Sequence, residues 1–218
     1  MLDFRKHEQF EMEVLKLISD HQLLTHLVFG GGTCMRLCFG LNRYSVDLDF
    51  WQKPAFSKGH FEKMRKVLKD RYEITDYQAK RNTYLLEIRS PDYPKRLKIE
   101  IRRGLHAHLE TELNVAFSPF ALPQIRLHSL TLRQIGLNKV RAFLERKEMR
   151  DAYDLEFIYK KGQLNVAEIS KIEKQEMILL LKAFTIKDFK VKLGSLLEAD
   201  ERDYYVQRGF QILMNALR

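Results

Sequence analysis

The stretch FGGGTCMRLCFGLNRYSVDLDFW, residues 29–51, constrains the chain more than any other. Three consecutive glycines precede a short helix-like run, and two aspartates one residue apart then stand inside an apolar segment. Successive strand residues point to opposite faces, so Asp47 and Asp49 share one face while Leu48 and Phe50 occupy the other. Two carboxylates held side by side repel each other, which is costly unless a cation lies between them.

A second alternating segment, KRLKIEIR at residues 95–102, puts Leu97, Ile99 and Ile101 on one side and Lys98, Glu100 and Arg102 on the other. If that strand neighbours the first, Asp47, Asp49 and Glu100 converge on one patch of sheet and can hold one or two divalent cations. Hard oxygen donors of this kind suit Mg²⁺ or Mn²⁺, and without a nearby His/Cys cluster zinc fits less well. Such a site suits phosphoryl transfer. The Lys98–Glu100–Arg102 face also reads as a solvated surface carrying cross-strand ion pairs.

The glycines supply a matching feature. Lacking Cβ, they let backbone N–H groups approach a phosphate, and a helix opening directly after them points its positive end at the same place. Gly31, Gly32 and Thr33 would then hold a triphosphate, with Thr33 capping or opening the helix. Neither GxxxxGK[ST] nor a GxGxxG dinucleotide fingerprint is present.

Hydrophobic periodicity predicts an amphipathic helix over 4–24, a short strand over 26–29, and a helix from 34 to 39 stopped by Gly40. It then predicts a strand over 47–51, a helix over 56–72, and strands over 84–89 and 96–102 paired around SPDYP. Beyond residue 128 no strand pattern survives, and 130–147, 151–160, 166–181 and 202–217 suit helices, with Gly162, Gly194 and Gly209 as ends or interruptions. Strands followed by a run of helices argue for an α+β fold: a mixed sheet with flanking helices over 1–129 and a helical region over 130–218 packed against it.

At 218 residues and 45% hydrophobic, the chain can bury a full core. Its net charge of +9, from 38 basic and 29 acidic residues, suits a polyanionic partner such as RNA or a nucleotide. Cys34 and Cys38, four apart on a helix, make no disulfide framework and read as small buried hydrophobes. The charged amino-terminal segment is unlike a signal peptide, and the apolar run MILLL is too short to span a bilayer, so a reducing, cytoplasmic setting is expected.

A glycine pair opening a helix, then Asp-x-Asp on a strand, then a third carboxylate, resembles the nucleotidyltransferase superfamily that includes polymerase beta. GGTCMRLCFGLNRYSVDLDFW resembles more narrowly the signature of the AbiEii/AbiGii toxin family, in which GGT, Arg-x-Ser and Asp-x-Asp recur in that order. LNKVRAFLERKEMRDAYDLEFI resembles the later motifs of that family, a lysine on a helix and then Arg-Asp followed by Asp-Leu, and the likeness covers residues 27–160. These are nucleotidyltransferase-like proteins of bacterial type IV toxin–antitoxin and abortive-infection systems.

The resemblance implies Asp47 and Asp49 as catalytic metal ligands, with Glu100 as the third carboxylate. It implies Gly31, Gly32 and Thr33 as the nucleotide-phosphate loop, Arg43 and Ser45 as contacts near the triphosphate, Lys139 as a phosphate contact, and Asp151 as the acidic residue of the last motif. It implies transfer of a nucleoside monophosphate from an NTP, with Mg²⁺ or Mn²⁺, to a hydroxyl such as that of a tRNA end, and a cognate antitoxin encoded nearby. The alternative is a catalytically degenerate nucleotide- or RNA-binding module acting through partner recognition. Asp151 also reads as a helix cap, Lys139 and Arg141 as surface decoration, and Arg146, Lys147 and Arg150 as a basic rim. His106 and His108 read as surface residues, while Tyr153, Phe157 and Tyr159 pack or flank the site.

Overall fold

A computed structural model describes residues 3–104 and 108–218, and His106 lies outside them. The chain forms two compact units: Met1–Gly40 with Tyr44–Leu130, and Leu41–Arg43 with Thr131–Arg218.

The first unit is built on one mixed sheet. Its strands are β1 (Leu27–Gly30), β2 (Asp47–Gln52), β3 (Glu73–Ala79), β4 (Thr83–Arg89), β5 (Leu97–Arg102), β6 (Thr111–Ala116) and β7 (Ile125–Leu130), ordered β3-β4-β5-β2-β1-β7-β6. β2 runs antiparallel to β1 and parallel to β5, while β1 and β7 are parallel. Helices α1 (Phe4–Asp20), α2 (Gly31–Phe39) and α3 (Lys58–Lys69) accompany the sheet.

Local chemistry accounts for the helix ends. The Lys6 N–H donates to the Asp3 carboxylate at the start of α1. Gly40, at φ +78°, takes the left-handed conformation that closes α2. The core is made by the alternation itself: Leu48, Phe50, Leu86, Ile88, Leu97, Ile99 and Ile101 are buried, as are Phe10, Val14 and Ile18 of α1 and Phe61, Met64 and Leu68 of α3.

The strands expected from the sequence are present as β1, β2, β4 and β5, and the pairing around SPDYP is the β4–β5 antiparallel ladder. Two strands that no pattern announced, β3 and β6, lie at the two edges of the sheet. Their residues are mostly half-buried or exposed, so they lack the apolar alternation of a covered strand. β7 was not assigned either, and it extends to Leu130, where a helix was expected to begin.

The second unit is helical: α4 (Leu132–Arg146), α5 (Met149–Lys160), α6 (Lys171–Ala183), α7 (Ile186–Asp188) running into a π-helical turn at Phe189–Leu193, α8 (Ala199–Arg208) and α9 (Gln211–Leu217). Thr131 caps α4, and Ser170 with Glu173 forms a capping box on α6. The helical stretch expected over 202–217 is divided at Gly209, one of the glycines expected to end or interrupt a helix, whose φ is +57°. The segment expected to be helical from 166 instead begins with a three-residue 3-10 turn at Val166–Glu168. Its core joins Phe143, Leu155 and Ile158 to Met177, Leu181 and Leu213, with Phe184, Phe189, Tyr205 and Phe210 forming a run of neighbouring rings. No helix of the described residues is long and apolar enough to cross a membrane.

Candidate active site

β2 and β5 bring the acidic residues to adjacent register positions. In their parallel ladder Asp47 stands opposite Lys98 and Asp49 opposite Glu100, so all four side chains share the half-buried face while Leu48, Phe50, Ile99 and Ile101 fill the other. Asp47, Asp49 and Glu100 are therefore gathered on one patch of sheet.

Lys98 belongs to the same patch. Its ammonium lies 3.5 Å from Asp47 Oδ2 and 3.8 Å from Glu100 Oε2, so a positive charge already bridges two of the carboxylates. Among the described residues, no three His, Cys, Asp or Glu side chains stand close enough together, as placed, to hold a metal ion. The donor set nonetheless has the right chemistry. It offers hard oxygens on adjacent strands, and the bridging ammonium marks where positive charge is favourable. A divalent cation would have to displace Lys98, whose side chain is 36% exposed.

The glycine run meets the acidic patch from β1, since Gly30 is the register partner of Asp49. Gly31 sits at φ +77°, and a Cβ there would lie 2.2 Å from Asp49 Oδ2. The absence of a side chain lets the Asp49 carboxylate close onto the first residue of α2. Gly30 serves a different neighbour: its Cβ would lie 2.2 Å from the Trp51 ring. This explains three glycines where two would serve a phosphate loop, because the first makes room for Trp51 in the core.

Thr33 was expected to cap or open α2 and does neither: Gly30 occupies the cap position and Thr33 lies inside the first turn. Its side chain is buried, with Oγ1 2.6 Å from the Asp47 carbonyl and 3.2 Å from Glu11 Oε1. With its hydroxyl turned inward, Thr33 presents only its backbone N–H at the helix start. Ser45 is half-buried, two residues before β2.

The remaining expected residues belong to the second unit. Arg43 is buried and clamps Asp154 through two parallel bonds, Nε to Oδ1 at 2.6 Å and Nη2 to Oδ2 at 2.7 Å. Lys139 Nζ lies 2.6 Å from Asp154 Oδ2 and 2.9 Å from Asp151 Oδ1, and Arg146 also reaches Asp151 Oδ1 at 3.1 Å. Asp151 lies in the first turn of α5, after its cap residue Glu148, and its Oδ2 is buried without a hydrogen-bond partner. Burial opposes the charge on Asp154, but the Arg43 and Lys139 charges outweigh it and hold the carboxyl below its usual range.

Of the basic rim, Arg146 is tied to Asp151 and Arg150 pairs with Glu148 at 3.0 Å. Lys147 closes α4 in a left-handed conformation. Tyr153 is buried and donates to Glu201 at 2.6 Å, and His108 is exposed. Residue-by-residue reading gave no role to Asp154, the Asp of the later Asp-Leu motif, nor in α1 to His7, Glu8 and Glu11. The signals were present: an Asp three residues after Asp151 faces the same side of a helix, and three polar residues share the helix with its apolar stripe.

Solved structures share this fold. A candidate nucleotidyltransferase from H. pylori aligns at TM-score 0.61 and 21% identity over 97% of this chain and 94% of that one. JHP933 from Helicobacter pylori aligns at 0.53 and 20% over 97% and 91%. At such identity the likeness is one of fold. No curated protein matches the chain. The family profile described as "Nucleotidyl transferase AbiEii toxin, Type IV TA system" matches residues 13–209, nearly the whole sequence, and the chain therefore belongs to the AbiEii nucleotidyl transferase toxin family.

Proposed function

We propose that this protein transfers a nucleoside monophosphate from an NTP to a hydroxyl of RNA, a tRNA end being the favoured acceptor, as the toxin of a type IV pair whose antitoxin is encoded nearby. The observation that carries the reading is the closure of Asp49 onto Gly31, which sets a carboxylate pair beside the positive end of α2. In the reaction the acceptor oxygen bonds to the α-phosphorus and the bond from that phosphorus to the β-phosphate bridge breaks. Pyrophosphate leaves with its charge, and the hydroxyl proton passes to solvent.

On this reading Asp47, Asp49 and Glu100 would hold Mg²⁺ or Mn²⁺, which would supply positive charge for the triphosphate and acidity to the attacking hydroxyl. The backbone N–H groups of Gly31, Gly32 and Thr33 receive phosphate oxygens, since the first N–H groups of a helix have no partner within it. Arg43, Ser45 and Lys139 as phosphate contacts, and Asp151 as the holder of Lys139, are carried by the family resemblance. The net charge of +9 favours a polyanionic acceptor, and a cytoplasmic setting is part of the same proposal.

One observation favours a second reading, a nucleotide- or RNA-binding module without catalysis: Lys98 occupies the space between Asp47 and Glu100. Incubation with each labelled NTP, Mg²⁺ and total RNA separates the two. Label on RNA supports the transferase, label on protein redirects the acceptor, and tight nucleotide binding with no label anywhere favours the module. Transfer that persists in a folded Asp47→Asn/Asp49→Asn variant refutes the assigned site.

A further inference from the structure

Helix α1 buries three polar side chains, His7, Glu8 and Glu11, that the reaction as described does not use. Burying carboxyl groups is costly unless each gains a partner. Glu8 has its partners: Arg36 pairs with it, and the Ser118 hydroxyl donates to it at 2.5 Å. His7 and Glu11 face the backbone that carries the acidic patch. His7 Nε2 lies 3.2 Å from the Val46 carbonyl, and Thr33 Oγ1, within 3.2 Å of Glu11 Oε1, lies 2.6 Å from the Asp47 carbonyl. One turn of α1 thus grips two successive carbonyls at the entry to β2, the first directly and the second through Thr33.

The proton count gives this chain a direction. A hydroxyl has one proton to donate, and the shorter contact, to the Asp47 carbonyl, takes it. Glu11 Oε1, 3.2 Å from Thr33 Oγ1, accepts from that hydroxyl when ionised and, when the hydroxyl proton is held by the carbonyl, donates to its lone pair if protonated. Burial, and next the charge of Glu8, push the Glu11 carboxyl well above the usual carboxylate range, the direction such a donor requires. Glu11 Oε2 is buried without a hydrogen-bond partner, a smaller penalty for a neutral acid than for a carboxylate.

We infer that Glu11 is a positioning residue for nucleotidyl transfer, which through the Thr33 hydroxyl fixes the Asp47 peptide against the first turn of α2 and so sets the separation of the aspartates from the phosphate cradle. The inference rests on the reading given under Proposed function. If packing alone were needed, an apolar side chain would fill the same place without a desolvation cost. A polar link to a carbonyl of the site's own strand is what an apolar residue cannot supply.

Full-length Glu11→Ala, Glu11→Gln and Thr33→Val are compared with wild type by melting temperature, by hydrogen exchange over 31–36 and 45–50, and by transfer of labelled NTP. In Glu11→Ala, kcat is expected to fall by about 10- to 100-fold, the usual cost of losing a partner behind a catalytic ligand, with KM for NTP within about twofold because the helix start is untouched. Exchange over 45–50 should rise selectively. Glu11→Gln keeps a neutral donor and acceptor and should restore both. Unchanged kcat in folded Glu11→Ala overturns the inference, as does equal damage in Glu11→Gln. If Glu11→Ala does not fold, Thr33→Val, which keeps the shape and removes the relay, must show the same kcat loss, and normal kcat there overturns it. If wild type labels no acceptor, the reading under Proposed function has failed. Exchange then decides alone: selective loosening of 45–50 reversed by Gln supports positioning, and uniform or absent change overturns it.

Discussion

At the scale of single residues, the site depends on a missing side chain and a competing charge. Gly31→Ala would place a methyl 2.2 Å from Asp49 Oδ2 at a φ of +77°, where an L residue is strained by about 1–2 kcal/mol before any clash is counted. Denaturant unfolding should show at least that loss, and transfer activity should fall further than stability because Asp49 itself must move. Lys98 is the competing charge. Replacing it with Ala removes an ammonium that a cation held as proposed would have to displace from Asp47 and Glu100. Partly exposed ion pairs are worth about 0–1 kcal/mol each, so the Mg²⁺ concentration for half-maximal nucleotide binding should drop by roughly two- to tenfold. An unchanged or raised requirement would remove Lys98 from the cation's place.

At the scale of elements, α4 and α5 are joined by charge as well as by their apolar faces. Arg43 and Lys139 converge on Asp154, which is fully buried. Asp154→Ala would leave a buried guanidinium without its bidentate partner, a change that costs about 3–5 kcal/mol. Thermal unfolding followed by circular dichroism should show it. The sign with pH follows from the depressed Asp154 carboxyl. Its stabilisation is fully present above the unfolded value of about 3.9 and is lost as pH falls through the lower folded value, so wild type should lose stability on acidification more steeply than Asp154→Asn. The covered strands β2, β4 and β5 were legible because one face of each is buried, and the edge strands β3 and β6 were not because little of either is.

At the scale of the whole molecule, the proposed RNA acceptor and the excess of 38 basic over 29 acidic residues together predict a salt-dependent association. The logarithm of the association constant is expected to fall linearly with the logarithm of salt, with a slope of about −0.7 per neutralised phosphate on single strands. A flat profile in a filter-binding titration would argue against RNA as the acceptor. Nucleotide selectivity belongs to this scale as well, and transfer measured with each labelled NTP in turn decides it.

The sequence by itself determined that Asp47 and Asp49 share a face, because strand periodicity leaves no other arrangement, and that glycines precede the helix leading to them. Only the tertiary structure decided that β5 lies parallel to β2 with Glu100 opposite Asp49, since strand order depends on contacts far apart in the chain. It also decided that Thr33 turns inward to Glu11, and that Arg43, far in sequence from the helices of its unit, clamps Asp154. A side chain's partner is set by which surfaces bury one another, and that is information no local spacing carries.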